Sequence, residues 1–213
     1  IETSTIPIQI NIATVERNIN NKLKIVPIKD TLSENVVGAF IEKRKLENLI
    51  YIAKHLNNCK LVMLGWGTTE KQLKNLAEDL GVFDKKVFFV PKISQKELVS
   101  YTSSATIGII PYDGYDLNTK YCTPNKLFEF VCAGIPIVHN DNLHTVGNII
   151  KSYKIGFPIN VNDYENTAKR IEELMFDVNV MSSLTENIES SREFLSWDNE
   201  KVKILNIFKA FNE

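Results

Sequence analysis

From Asn35 onward, short apolar runs alternate with stretches in which apolar residues recur every three or four positions. Val36 to Phe40 is the first run, and the segment after it carries Leu46, Leu49, Ile50, Ala53 and Leu56 on one helical side. Leu61 to Leu64 is the second run, leading through Gly65-Trp66-Gly67 into a helix with Leu73, Leu76, Ala77 and Leu80 inward that Gly81 closes. Val87 to Val90 and Ile107 to Ile110 are the third and fourth runs, with a short helix at 95–103 between them. A loop over 111–122 leads to a central helix and the run Ile135 to Val138. After these the pattern predicts a helix at 143–153, a short run at 156–159, and helices near 164–176, 180–194 and 199–212. Apolar runs without alternation, each separated by an amphipathic helix, predict parallel strands covered on both faces. The expected fold is α/β, a doubly wound parallel, Rossmann-like sheet over residues 35–213. Ahead of it, Ile6, Ile8, Ile10 and Ile12 alternate with polar residues or Pro7, which predicts an extended segment at an edge or in a linker. Residues 13–34 are polar, with one apolar run at Ile25, Val26 and Ile28, so residues 1–34 read as an amino-terminal extension or linker.

The central stretch Thr123 to Val138 is the most informative. Thr123 can cap a helix through its hydroxyl, and Pro124 suits the first helical position, where a missing N–H costs nothing. Leu127, Phe130, Val131 and Gly134 then share one side, and Asn125, Lys126 and Glu129 the other, which predicts a packing face and a face free to bind. Gly134 suits the left-handed position after the last turn, and Pro136 stops the helix, so the chain passes directly into a core strand. Lys126 stands out because a cation in the first turn faces the positive end of the helix dipole. An anion would reconcile the two, since backbone N–H groups at a helix start together with an ammonium make a phosphate site. The alternative is an ordinary solvated lysine.

In a doubly wound sheet, ligands bind beyond the carboxyl ends of the strands. The loops there are Gly38 to Lys45, Gly65 to Thr69, Pro91 to Ser94 and Pro111 to Asn125. The second carries Gly65-x-Gly67, which permits close backbone approach but lacks the full dinucleotide fingerprint and is equally explained by a tight strand-to-helix turn. The first carries Lys43, Arg44 and Lys45, a basic triplet on the same expected rim as Lys126. Two basic groups on one rim raise the expectation of an anionic ligand.

Composition narrows the partners. At 213 residues and 44% hydrophobic, the chain can bury a sizeable core, and a formal net charge of −1 with interspersed signs gives no electrostatic footprint for nucleic acid or an anionic membrane. Cys59, Cys122 and Cys132 are odd in number and lack metal-like spacing, which predicts free thiols in a reducing compartment. No apolar stretch approaches the roughly 20 residues that span a bilayer. The expected location is cytoplasmic, at the inner face of the membrane if the full-length protein associates peripherally with it. Because the chain opens on Ile1 inside patterned sequence, a piece of a longer protein is expected.

Taken together, Gly38 with Arg44 and Glu47, Leu61 to Gly67, Val87 to Ser94 with Glu97-Leu98, Gly108 to Tyr112, Thr123 to Val138, and Trp197 after Phe194-Leu195-Ser196 resemble a known pattern. It is that of the carboxyl-terminal, donor-binding domain of GT-B fold glycosyltransferases of the group-1, family-four-like type, the bacterial surface-polysaccharide subgroup included. The likeness runs from about Val36 to the end. It implies a retaining hexosyl- or N-acetylhexosaminyltransferase that uses a nucleotide-sugar donor, UDP-linked by preference, with no metal and no further cofactor. It implies that Glu129 accepts hydrogen bonds from two ribose hydroxyls, and that Arg44, Lys126 and the N–H groups near Leu127, with Asn125, hold the leaving diphosphate. Gly38, Gly65 and Gly67 would line the donor, and the base would lie by the backbone of Lys92 and Ile93. The acceptor, a glycan, lipid-linked or protein hydroxyl, would be held by an amino-terminal domain that residues 1–34 are too short to form. Two positions depart from the pattern. Tyr121 stands where many relatives carry a glutamate eight residues before Glu129, and Ala39 where many carry an arginine after the glycine. The Pro-Asn-Lys-Leu-Phe-Glu stretch is more similar to a subgroup that tolerates both changes, with Arg44 and Lys126 sharing the diphosphate.

Two other functions fit the same sequence. A sugar-nucleotide epimerase of this architecture would bring histidines such as His139 and His144 into the cleft, although packed or surface roles suit both better. A non-catalytic nucleotide-sugar-binding or assembly module would account for Tyr121 and Ala39.

Overall fold

A computed structural model of the chain describes residues 33–210 except 92 and 94, together with the short segments 9–11, 16–17 and 23–24. In chain order the strands are β1 (Gln9–Asn11), β2 (Glu16–Arg17), β3 (Leu23–Lys24), β4 (Ser33–Ala39), β5 (Lys60–Trp66), β6 (Val87–Val90), β7 (Ile107–Ile110), β8 (Ile137–Asn140) and β9 (Gly156–Ile159). The helices are α1 (Glu47–His55), α2 (Glu70–Asp79), α3 (Gln95–Thr102), α4 (Leu117–Tyr121), α5 (Asn125–Ala133), α6 (His144–Tyr153), α7 (Tyr164–Phe176), α8 (Val178–Ser191) and α9 (Trp197–Ala210). Strands β4 to β9 pair in parallel in the order β6-β5-β4-β7-β8-β9. This is the doubly wound α/β sheet expected from the alternation of apolar runs and helices. Its winding reverses between β4 and β7, so the carboxyl ends of those two strands flank a crevice.

Burial on both faces follows the pleat. Along β5, Leu61 and Met63 join a core with α1, α2 and α7, while Val62 and Leu64 pack with Phe88 and Val90 on the opposite face. Ile109 and Val138 join the first of these cores, and Ile110 and Ile137 join Leu127, Phe130, Val131, Val146 and Ile188 of α5, α6 and α8. The inward positions expected for α1, namely Leu46, Leu49, Ile50, Ala53 and Leu56, are all buried. The central helix also packs as expected, with Leu127, Phe130 and Val131 fully buried and Gly134 at φ 75° ending it.

Gly108 is where α5 reaches the sheet. A Cβ there would stand 2.6 Å from the Phe130 ring, so glycine lets the helix lie against β7. Gly108→Ala is expected to destabilise the chain by about 1–3 kcal/mol through overpacking, read as a lowered thermal midpoint.

Three local differences from expectation stand out. β5 runs through Gly65 to Trp66, so the first two of the five residues Gly65 to Thr69 read as a loop are strand. The segment 111–122 contains the five-residue helix α4, which lacks an apolar stripe and is started by the Asp116 carboxylate accepting from the Thr119 N–H at 2.6 Å. Ahead of the domain, β1 pairs antiparallel with β4, Ile10 opposite Val36, and β2 pairs with β3. Ile6, Pro7, Ile8, Ile12 and the run Ile25 to Ile28 lie outside the described residues.

Candidate functional site

The crevice between β4 and β7 is walled by the segment after β4 and by the start of α5. After Phe40 the chain makes one 3-10 turn, Glu42–Arg44, with Lys45 in the left-handed region at φ 51°. That turn separates the basic triplet. Lys43 and Lys45 are exposed, and Lys45 lies 3.8 Å from Glu47 on the surface, whereas Arg44 turns inward and is half-buried. Its guanidinium carbon sits 4.9 Å from the centre of the Tyr112 ring, and its Nη1 is buried with no hydrogen-bond partner.

The Gly65-x-Gly67 segment supports this wall. Gly38 and Gly65 are register partners in β4 and β5, and Phe40 N–H donates to the Trp66 carbonyl at 3.0 Å. A Cβ on Gly67 would come within 2.6 Å of the Phe40 nitrogen, so the close approach that glycine permits here is to the neighbouring loop.

On the other wall, α5 starts one residue later than expected. Pro124 takes extended geometry, φ −67° and ψ 145°, and is itself the cap residue; no side chain caps the helix. The expectation that Thr123 caps and Pro124 is the first helical residue is therefore corrected. With ψ extended, Pro124 lies outside the helix, and proline has no side-chain acceptor to offer. Leu127 is a core side chain whose N–H donates to the Pro124 carbonyl at 3.0 Å. Asn125 is exposed at the helix start.

Lys126 is 5% exposed, which removes the reading of an ordinary solvated lysine. Burial, and after it the Arg44 guanidinium, push its ammonium well below the ordinary lysine range, with Glu129 opposing. Glu129 is half-buried one turn on; its Oε2 is buried and has no hydrogen-bond partner. Burial raises the Glu129 carboxyl above its ordinary value, offset in part by Lys126. Two cations, a carboxylate and unmet hydrogen-bonding capacity therefore share one switch-point crevice. Such an arrangement stabilises an anionic ligand that also carries hydroxyl donors.

The remaining candidates separate. Ile93 is half-buried against the cluster of Val62, Leu64, Phe88 and Val90, so any recognition there would fall to its backbone, and Lys92 lies outside the described residues. His139 is buried beside Gly147, with Nδ1 2.9 Å from the Asn140 carbonyl, and burial lowers its pKa. His144 lies at the start of α6 with its ring 5.2 Å from that of Tyr121, whose carbonyl accepts from the Thr145 hydroxyl at 2.8 Å. Among the described residues no group of three or more His, Cys, Asp or Glu is placed to hold a metal ion, and no helix is long and apolar enough to cross a membrane. The three cysteines are free.

Sequence reasoning assigned no role to Tyr112 or Asn140. Tyr112 is 7% exposed beneath Arg44, and Asn140 is 1% exposed with its Nδ2 donating to the Tyr112 carbonyl at 3.1 Å. The signal was present only as a polar residue ending the apolar run of β8, which by itself does not say what it bonds.

The sequence profile of the family described as "Glycosyl transferases group 1" matches residues 34–191. No curated protein matches the chain. Among solved structures, the chain is similar to WaaG, a glycosyltransferase involved in lipopolysaccharide biosynthesis, at 18% identity and a TM-score of 0.58, with 74% of this chain and 41% of that one covered. It is similar to S. aureus TarM, solved as a variant with fondaparinux, alpha-GlcNAc-glycerol and UDP, at 17% identity and a TM-score of 0.64, covering 80% and 34%. For HepE of Anabaena in complex with UDP the values are 13% and 0.63, covering 79% and 46%. At these identities the likeness is one of fold, and the chain spans less than half the length of each of the three.

Proposed function

Because this chain belongs to the group 1 glycosyl transferases, we propose that it is the donor-binding half of a retaining glycosyltransferase that moves a sugar from a nucleoside diphosphate to a hydroxyl acceptor. The preferred donor is a UDP-hexose or UDP-N-acetylhexosamine, and the product belongs to glycan or polysaccharide synthesis in the cytoplasm. The acceptor, whether glycan, lipid-linked or protein, is held by an amino-terminal domain.

One observation carries this reading: Arg44, Lys126 and Glu129 converge at the sheet's switch point, with Arg44 Nη1 and Glu129 Oε2 buried and unpartnered. A nucleoside diphosphate suits all three. Arg44 and Lys126 neutralise the diphosphate as it leaves, the work that a metal ion performs elsewhere. Glu129 accepts from the ribose diol, Asn125 borders the phosphates, and the backbone at Lys92 and Ile93 faces the base. HepE and TarM have been solved with UDP, which agrees in ligand class.

Calorimetry with UDP in EDTA tests the reading. Binding is expected to be unchanged by the chelator, and Arg44→Ala is expected to weaken UDP by about 1.5–3 kcal/mol while leaving uridine unchanged. Binding that vanishes in EDTA and returns with magnesium, or equal losses for UDP and uridine, would overturn the assignment. For the full-length protein, a labelled donor should yield a glycosylated acceptor; an epimerised donor, or no product, would refute the transferase reading.

Donor binding should also consume protons. A bound diphosphate favours the charged form of Lys126, so its pKa is higher in the complex than in the free chain, where burial depresses it. Between those two values the complex holds more protons, so affinity falls as pH rises through the free-state pKa. A UDP-sugar, whose phosphates do not titrate near neutrality, should show this loss, together with a binding enthalpy that varies with buffer ionisation. Lys126→Met should abolish both effects.

A further inference from the structure

We propose that Asn140 and Tyr112 form a pin that orients the Arg44 guanidinium in the donor site, with Asn140 positioning Tyr112 and Tyr112 positioning Arg44. The inference rests on the donor-site reading above. It begins with an amide that solvent does not reach. Asn140 ends β8 and is 1% exposed, so its polar atoms must find partners in the protein. Its Nδ2 donates to the Tyr112 carbonyl at 3.1 Å, and its Oδ1 accepts from the Val161 N–H at 3.4 Å. One side chain thus joins the loop after β7 to the segment after β9. Two residues on, Asn142 adds a second tie to the same loop. Its Nδ2 donates to Asp113 Oδ1 at 2.6 Å, and its Oδ1 accepts from the Gly114 N–H at 3.1 Å. That second tie is solvent-exposed, so Asn140 is the one that water cannot replace.

The held loop carries Tyr112, whose ring is the floor under Arg44. Burial raises the Tyr112 phenol above its ordinary range against the opposing pull of Arg44, so the ring stays neutral. A guanidinium held over a fixed aromatic face keeps N–H groups available for other partners. Arg44 Nη1 is such a group, buried and without a partner. An arginine on a flexible stem that is already held over a ring loses less freedom when a diphosphate arrives. A residue that merely filled space below Arg44 would need neither an aromatic face nor a buried amide fixing its backbone.

A double-mutant cycle on the full chain tests the pin. Tyr112→Leu is expected to weaken UDP about tenfold with little change for uridine, and Tyr112→Phe, which keeps the ring, to stay within about twofold of the parent. In an Arg44→Ala background, Tyr112→Leu should cost less than about twofold, because the same contact cannot be lost twice. Asn140→Ala should give a smaller loss of UDP affinity that disappears in the Tyr112→Leu background. Should Asn140→Ala fail to fold, the Tyr112 cycle decides alone. If Arg44→Ala weakens UDP but Tyr112→Leu acts equally in both backgrounds, the pin is wrong and the donor site stands. If Arg44→Ala leaves UDP unaffected, the donor assignment of Arg44 falls and the pin falls with it.

Discussion

Lys126→Met is expected to weaken UDP by about 3 kcal/mol, roughly 100-fold, without lowering the thermal stability of the chain. The two halves of this expectation share one cause. Lys126 is buried at the start of α5, where the helix dipole and the Arg44 guanidinium both oppose a positive charge. Burying that charge is a cost to the free chain. Because the folded pKa is depressed, the cost is fully present below the folded value and is relieved as pH rises from there to the unfolded lysine pKa. Methionine keeps the apolar stem and removes the charge, so the folded state should hold or gain stability at neutral pH. The same charge becomes favourable once a diphosphate lies against it, so its removal is felt in binding. Calorimetry with UDP and uridine, beside a thermal melt, reads both. A variant that melts earlier and binds UDP as the parent does would mean that Lys126 is structural.

Glu129 is expected to show the same trade with opposite charge. Glu129→Ala should weaken UDP by at least ~1.5 kcal/mol, roughly tenfold, and Glu129→Gln should leave folding stability at neutral pH equal or higher. The carboxyl's folded pKa is raised by burial, so its charged form is destabilising above that value, and the penalty recedes as pH falls through it toward the unfolded value. A helix-stabilising partner of Lys126 would instead contribute about 0.2–0.5 kcal/mol to stability and nothing to binding. The decisive measurement pairs Glu129→Ala with 2′-deoxy and 3′-deoxy UDP. Losing a hydroxyl should weaken binding to the parent chain and be nearly neutral in the variant. Additive losses for both deoxy ligands would show that Glu129 does not touch the ribose.

The sheet was legible in the residues alone, because strand and helix periods are local and burial on both faces demands unbroken apolar runs. Leu61 to Leu64 and Ile107 to Ile110 lie wholly within core strands, and the run Ile135 to Val138 leads into one, β8, which starts at Ile137. The stop at Gly134 was equally legible, since a left-handed residue followed by Pro136 leaves few alternatives. Short-range polar detail was less so. The helix Leu117–Tyr121 depends on one carboxylate cap and has no apolar stripe, and the start of α5 turned on the ψ angle of Pro124, which composition does not fix.

Which of the basic residues face the crevice was set by long-range packing. Lys43, Arg44 and Lys45 are equivalent as a triplet, and one 3-10 turn sends the middle one inward. Lys126 read as part of an exposed polar face, yet it is buried, within reach of an Arg44 guanidinium that the fold brings from far away in the chain. The tie between Tyr112 and Asn140 was silent for the same reason. Twenty-eight residues separate them, and the hydrogen bond that joins them exists only once β7 and β8 lie side by side. Periodicity reports which side of an element is covered; only the packed fold fixes what covers it.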